Sequence, residues 1–449
     1  MVDGARQASP LRRNLLLACL AAVVGSALVW GGAVRDAADL AAVQGAIADH
    51  DWPRAESMLR ARLASAPARG DAERQFLLGR VLRRQRRFQE AEEAFGAAEA
   101  AGYPAGPVAR QRVLARAQTG EIRAVEREIT RSMTESEDDA YAEDCYEALA
   151  EGFIAGYRMS DARECLDFWS RWQPGNPLPP YWGGMIEERY ERPVLALEQY
   201  QRALELDPGF HDARVKVARL ELDTGRLDDA RGRFEECLAE RPDEPAAVMG
   251  LAECLLRLGD PAGARERFLD GLCTDLSADQ AALALTELGQ MALGEGDVKR
   301  GAALLSQAVA VDPRGTRARL SFAAALARVG DREGAERQRA EAERLAAAQR
   351  RLAQLTHDLL GAPGDAAKRA EAGVIFLEEG FEREGLQWLS SALAVDPDHA
   401  PTHRALADFH AARGDAEAEA RHRARAGDAE PPRPPAARGD ATPAPDGAP

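Results

Sequence analysis

The sequence has little of what sheet-rich folds and nucleic-acid-binding proteins require. Aromatic residues make up only 6% of its 449 residues, and no long alternating run of Val, Ile and Thr points to strands. An excess of basic residues is also missing, because the net charge is −16. Phosphate groups bind to a net basic surface, so this charge argues against nucleic acid as a partner.

Motifs with a known catalytic mechanism are absent as well. The chain contains no phosphate-binding loop of the form GxxxxGK[ST], no GxGxxG after a strand, and no GxSxG or HExxH. CxxCH is missing too, which excludes covalent haem attachment through that motif. We therefore predict a protein that is not an enzyme and has no catalytic residues, no cofactor and no metal ion.

The residues that are abundant favour helices. Ala, Leu, Arg and Glu, all good helix formers, are frequent throughout the sequence. A single hydrophobic core stops growing at roughly 250–300 residues. A chain of 449 residues must therefore form several domains or one open-ended array.

Glycine, alanine and aromatic residues recur along the chain with a spacing of 34 residues. A period of this size is typical of stacked copies of one supersecondary unit, which usually form a surface for holding other molecules. The recurring residues are Gly225, Ala230 and Phe234, which return as Gly259, Ala264 and Phe268, and the glycine pairs Gly296 with Gly330 and Gly380 with Gly414.

The clearest copy of the unit begins near Pro177. Its small residues, its aromatic residue and its closing proline are Gly184, Ala196, Tyr200, Ala203 and Pro208. This pattern resembles the tetratricopeptide repeat family, in which each repeat is a helix–turn–helix. The resemblance implies an all-α, right-handed superhelical solenoid of roughly eleven units. Small residues would let the two helices of a unit approach closely, and Gly after the first helix would permit a left-handed turn.

Residues 15–34 (LLLACLAAVVGSALVWGGAV) form an uncharged run of 20 residues. As a helix this run would span about 30 Å, the thickness of the hydrocarbon core of a bilayer. Arg6, Arg12 and Arg13 precede the run, which predicts a cytoplasmic N-terminus and repeats on the outer side of the membrane, the periplasm in a bacterium. Two alternatives stay open: a signal peptide that is cleaved, and a buried helix of a soluble protein.

One stretch interrupts the regular spacing. Residues 332–360 contain no Pro and no internal capping signal, which predicts one helix longer than a repeat helix. Leucines at helical spacing give it a narrow apolar stripe. The stripe either packs on a neighbouring helix of the same chain or serves self-association through 332–360. The stripe residues are Leu345, Leu352, Leu355 and Leu359.

The predicted organisation follows from these features. It comprises a cytoplasmic tail at 1–14, a transmembrane signal anchor at 15–34, degenerate N-terminal repeats at 36–174, central repeats at 177–345, an overlapping long helix and break at 332–364, C-terminal repeats at 366–426, and a disordered Pro/Ala-rich tail at 427–449. Cys237 and Cys254 could meet across a repeat boundary as a disulfide in an oxidising compartment, or remain free buried thiols.

The resemblance to tetratricopeptide repeats also implies where a partner binds. In that family the first helices line a concave groove that holds peptides or helices of other proteins. The groove positions in this sequence are Tyr181, Trp182, Met185, Arg189, Lys216, Arg219, Met249, Glu253, Arg257, Glu287 and Gln290. We expect a non-enzymatic scaffold for a protein or peptide partner, anchored in a membrane. The alternative is an accessory subunit of a membrane-associated enzyme or of a secretion or biogenesis complex.

Overall fold

The computed structural model describes residues 38–65, 71–136, 138–274 and 276–427. The predicted anchor at 15–34 and nearly all of the predicted tail at 427–449 lie outside these ranges. None of the helices within the ranges combines the length and the apolar character that crossing a bilayer requires. The chain divides into two compact units, with the boundary between Ala115 and Arg116.

The first unit is a set of short helices around its own core. Gly79 lies against the ring of Phe95, so that a Cβ at this position would stand 2.4 Å from the ring. Phe76 stacks on Tyr103 with 4.3 Å between ring centroids. The helices are α1 (38–48), α2 (Trp52–Ser65), α3 (Asp71–Arg84), α4 (Phe88–Ala100) and α5 (Ala105–Arg116), whose last residue belongs to the second unit.

The second unit continues the helical array after a kink at Gly120, which has φ 107° inside a π-helical turn. Every regular element described in this unit is a helix. They are the π-turn Ala117–Glu121, α6 (Ile122–Glu135), α7 (Asp139–Ala155), α8 (Met159–Trp172), α9 (Leu178–Arg189), α10 (Pro193–Leu206), α11 (His211–Asp223), α12 (Leu227–Glu240), α13 (Pro245–Leu258), α14 (Pro261–Gly271), α15 (Ala278–Gly294), α16 (Val298–Val311), α17 (Thr316–Val329), α18 (Arg332–Gly361), α19 (Ala366–Glu378), α20 (Glu382–Val395), α21 (Ala400–Ala412) and α22 (Ala416–Ala426).

From α7 onward, successive helices pack as antiparallel hairpins, each with a first and a second helix. The close packing depends on a small residue in the first helix and a large one in the second. A Cβ at Gly184 would lie 2.5 Å from the ring of Tyr200, and one at Gly289 would lie 2.7 Å from Leu305. Any larger residue would push these helices apart. The sequence-based explanation of these small residues is therefore confirmed.

The turns between the helices of a hairpin explain the recurring glycines. Gly225 has φ 84° and Gly259 has φ 86°, and the later turn glycines at 296, 330, 380 and 414 also have positive φ. Only glycine adopts this left-handed conformation without a steric cost. Two larger residues occupy the same position in the two preceding turns: Tyr157 with φ 59° and Glu191 with φ 55°.

Helix α18 is the irregular element of the array, with 30 residues against 14 in α16. Its leucines Leu345, Leu355 and Leu359 are at most 4% exposed. They are buried by other parts of the same chain, which favours internal packing over self-association through this stripe. Of the two alternatives for Cys237 and Cys254, the structure has the free, buried thiols.

The second unit curls until early and late helices touch. Arg369 Nη2 donates a hydrogen bond of 2.7 Å to the carbonyl oxygen of Gly156. Gln387 Nε2 donates one of 3.0 Å to the carbonyl oxygen of Thr119. The rings of Tyr157 and Trp388 lie 5.4 Å apart. We call this contact between residues 117–157 and 369–391 the seam.

Candidate binding surface on the first helices

The residues predicted to bind a partner lie on four first helices, α9, α11, α13 and α15. Neighbouring first helices contact one another, α11 with α13 and α15 with α17. We call the side-chain surface that the predicted residues form on α9, α11, α13 and α15 the first-helix face. The short turns and close hairpin packing described above set the spacing of these helices.

Charged side chains on the first-helix face are paired across consecutive hairpins. Lys216 Nζ lies 2.9 Å from Glu188 Oε2. Arg219 Nη1 lies 2.8 Å from Glu253 Oε1 on the next first helix. Both pairs join helices of adjacent repeats. The positive charges of Lys216 and Arg219 are therefore already balanced within the protein.

The pairing continues towards the C-terminus of the face. Glu287 forms an ion pair with Arg317 of α17. Gln290 Nε2 donates a hydrogen bond of 2.7 Å to Ser321 Oγ, also on α17. Arg317 and Ser321 were not predicted as part of the face. They follow Glu287 and Gln290 by about one repeat, so the repeat period itself was the signal that could have identified them.

Burial and pairing act in opposite directions on the titration of this face. Burial lowers the pKa of Arg219, but the hydrogen bond and charge of Glu253 outweigh it, and the pKa is raised. Burial raises the pKa of Glu287, whereas the charge of Arg317 lowers it without cancelling the rise. Since the charge of Glu253 also raises the pKa of Glu287, the middle of the face has an acidic environment.

The aromatic residues of α9 have two different environments. Tyr181 packs 5.6 Å from Tyr200 and 5.1 Å from Phe210, measured between ring centroids. It therefore belongs to the core rather than to an open platform. Trp182 Nε1 is buried and has no hydrogen-bond partner within the described residues.

Met249 and Arg257, farther along the face, make contacts within the protein. Met249 is only 3% exposed and packs in the core, whereas Met185 is half-buried. Arg257 Nη1 donates a 2.5 Å hydrogen bond to the carbonyl oxygen of Leu222, near the C-terminus of the preceding first helix. Arg328 makes the equivalent bond to Leu293. Arg257 therefore caps a helix.

Arg189 is the predicted residue that the structure separates from the others. Its guanidinium carbon lies 5.1 Å from the centre of the Tyr157 ring, and it lines a cavity at the seam together with Arg369. This position depends on the curvature of the second unit. The spacing of the repeats contains no signal for it.

The tetratricopeptide repeat family matches residues 191–232 and 216–281 of the chain. The match supports the predicted resemblance to this family over these residues. Together with the helical hairpins from α7 to α22, this establishes an all-α repeat solenoid. Proteins with this fold typically bind other molecules without catalysing a reaction.

Two bacterial proteins are similar in sequence. Cellulose synthase 1 operon protein C of Komagataeibacter xylinus is 28% identical over 248 residues, which cover 51% of this chain and 18% of that protein. Cellulose synthase operon protein C of Pseudomonas fluorescens (strain SBW25) is 30% identical over 173 residues, covering 36% of this chain and 13% of that protein. The chain thus spans less than a fifth of the length of either relative.

Among solved structures, the chain is similar to the crystal structure of the APC/C hetero-tetramer Cut9-Hcn1. The sequence identity is 14% and the TM-score is 0.38. The similarity covers 86% of this chain and 79% of that chain.

Proposed function

We propose that the protein is a non-enzymatic scaffold that holds a peptide or a helix of a protein partner on the first-helix face. The observation that carries this proposal is the continuity of the face over three successive first helices, α9, α11 and α13. Side-chain contacts connect Glu188 of α9 to Lys216 of α11, and Arg219 of α11 to Glu253 of α13. An elongated partner can contact such a surface at several points.

The balanced charges on the face indicate how the partner is recognised. Because Lys216 and Arg219 already have carboxylate partners, an acidic peptide gains little from them. Recognition is expected to rest on backbone hydrogen bonds and apolar contacts. The net charge of −16 favours a neutral or basic partner.

A second candidate comes from the two relatives, whose names place them in cellulose synthase operons. In this reading the chain is an accessory component of a membrane-associated complex that makes or exports a polysaccharide. The uncharged run at 15–34 supports a single-pass membrane anchor with a cytoplasmic N-terminus. The repeats would then lie in the periplasm if the source is a bacterium.

The test is capture of partners from solubilised membranes by the full-length protein. One variant combines Trp182→Phe, Lys216→Ala and Arg219→Ala on the first-helix face. The matched control changes one exposed aromatic residue and two exposed basic residues on second helices, with the same change in charge. The control substitutions are Phe168→Ala on α8, Arg231→Ala on α12 and Lys299→Ala on α16.

The scaffold proposal predicts that the first-helix variant loses partners that the control retains. If both variants retain every partner, the first-helix face is not the binding surface. Recovery of a polysaccharide synthase or export subunit would favour the accessory role, and its absence would favour a different assembly. Protease protection of the repeats in intact cells, lost on opening the outer membrane, would establish the proposed location.

A further inference from the structure

A cavity of about 180 Å³ lies at the seam. It is smaller than the pockets of roughly 300–1,000 Å³ that hold drug-sized ligands, so it suits a small group. Residues between 120 and 189 and between 369 and 394 form its walls, so both sides of the seam contribute. The residues that matter for its chemistry are Arg123, Tyr157, Arg158, Arg189, Arg369, Gln387 and Trp388.

Three of the four arginines in this cavity have no acidic partner. Within the described residues, no carboxylate forms an ion pair with Arg123, Arg189 or Arg369. Arg158 differs, because it pairs with both Glu126 and Asp161. The cavity is therefore locally positive, although the chain as a whole has a net charge of −16.

Arg369 is the most buried of the three, with 3% of its surface exposed. Its Nη2 donates to the carbonyl oxygens of Gly156 and Pro363, each at 2.7 Å. Burial and the charge of Arg123 lower the pKa of Arg369 to about 10. The group therefore stays charged at neutral pH. A buried charge without a counter-ion is costly, and a bound anion would offset that cost.

Tyr157 lines the cavity at a left-handed turn position, a conformation that His50, Arg86 and Glu191 also adopt although they are not among the residues that line it. Its φ of 59° is a left-handed conformation that is strained for a bulky residue. Glycine fills the equivalent turn position at 225 and 259. The tyrosine ring lies 5.1 Å from the guanidinium carbon of Arg189 and 5.4 Å from the ring of Trp388. The strained residue thus positions one cavity arginine and the cavity tryptophan.

We propose that the seam cavity binds a small oxyanion, either a phosphoryl group or a compact di- or tricarboxylate. Guanidinium groups bind both through paired, charge-assisted hydrogen bonds. Arg123 and Arg189, which are exposed, would contact the anion at the opening of the cavity. The buried Arg369 would attract it electrostatically without contacting it. The proposal does not rest on partner binding by the first-helix face.

Anion binding would have a second consequence, because residues from both sides of the seam line the cavity. A ligand that binds the closed form alone stabilises it by mass action. The anion would therefore hold the helices around Gly156 and Arg369 together. In this way a small molecule would control the closure of the second unit.

The experiment measures thermal unfolding and tryptophan fluorescence of the full-length protein. Inorganic phosphate, citrate and sodium chloride are added at equal ionic strength. The binding variant is the double substitution Arg123→Gln/Arg189→Gln. The control is Arg383→Gln, an arginine with 92% of its side chain exposed. Trp388→Phe identifies the fluorescence signal that comes from the cavity.

Phosphate, citrate or both are expected to raise the unfolding temperature more than chloride does. Affinity should fall about tenfold or more in Arg123→Gln/Arg189→Gln and stay unchanged in Arg383→Gln. The ligand-induced fluorescence change should disappear in Trp388→Phe. Stabilisation by phosphate alone assigns a phosphoryl ligand, and stabilisation by citrate alone assigns a carboxylate. Equal effects of all three salts, or wild-type affinity in the double variant, would overturn the proposal.

Discussion

The first-helix face and the seam cavity both contain arginines, but the two places differ in whether a carboxylate neutralises the arginine. On the first-helix face, Arg219 is 47% exposed and lies 2.8 Å from the carboxylate of Glu253. At the seam, Arg369 is 3% exposed and donates only to neutral oxygens. The difference shows that a basic residue near a groove does not by itself mark an anion site. The decisive property is whether the protein supplies the counter-charge.

This contrast assigns different ligands to the two surfaces. A face with balanced charges can bind a polypeptide through shape and backbone hydrogen bonds, with modest dependence on salt. A cavity with unbalanced positive charge attracts a small anion. The following changes test whether the contrast is real.

The largest expected effect is a difference in the free energy of unfolding between two variants, one lacking an arginine of the seam cavity and one lacking an arginine of the first-helix face. Arg369→Met should lower the free energy of unfolding by about 2–4 kcal/mol, because the buried carbonyls of Gly156 and Pro363 lose a charged donor. Arg219→Met removes an exposed ion pair and should cost less than about 1 kcal/mol. Urea unfolding in phosphate-free buffer measures both. Equal losses would mean that the two arginines have equivalent environments.

A smaller effect should appear in the pH dependence of the first-helix face. Burial raises the pKa of Glu287 above its unfolded value, so the folded state binds more protons in this range. Stability from this group is therefore fully present below pH 4.5 and is lost as pH rises through the folded pKa, by about 1.4 kcal/mol per unit of pKa shift. Glu287→Gln should remove this slope. Urea midpoints at a series of pH values compare the two proteins, and an unchanged slope would show that Glu287 is not responsible.

The smallest effect concerns two of the larger residues in left-handed turns, Tyr157 and Glu191. Glu191 is exposed, and replacing it with Gly should raise the free energy of unfolding by about 0.5–1 kcal/mol through relief of backbone strain. Tyr157→Gly should instead lower stability, because the ring contacts with Arg189 and Trp388 are lost. If both substitutions stabilise the protein equally, Tyr157 has no special role at the seam.

Much of the local structure could be predicted from the sequence, because the signals act within one repeat. The spacing of 34 residues located Gly225 and Gly259, and both adopt the predicted left-handed turn. The small residue Gly184 and the large residue Tyr200 are 16 positions apart and pack as expected. The predicted long helix at 332–360 coincides with α18 to within one residue.

The arrangement between distant repeats could not be predicted in this way. The seam joins residues 213 and 268 positions apart, and its geometry accumulates from small rotations at every repeat. The spacing of residues in a single sequence does not indicate how large these rotations are, and so does not indicate which distant repeats come into contact. For the same reason, the prediction placed Arg189 in the groove, whereas it lies at the seam. Tyr181 was predicted to line the groove, but it packs against Tyr200 and Phe210. The burial of a residue on a first helix depends on its neighbours in space, which the sequence does not give.

The most direct test of the account is a phosphate titration of two variants with the same loss of positive charge. Arg123→Gln/Arg189→Gln removes two cations from the seam, and Lys216→Ala/Arg219→Ala removes two from the first-helix face. Isothermal titration should show wild-type affinity in the first-helix variant and affinity weakened about tenfold or more in the seam variant. Equal weakening in both would show that phosphate responds only to net charge, and would contradict the account.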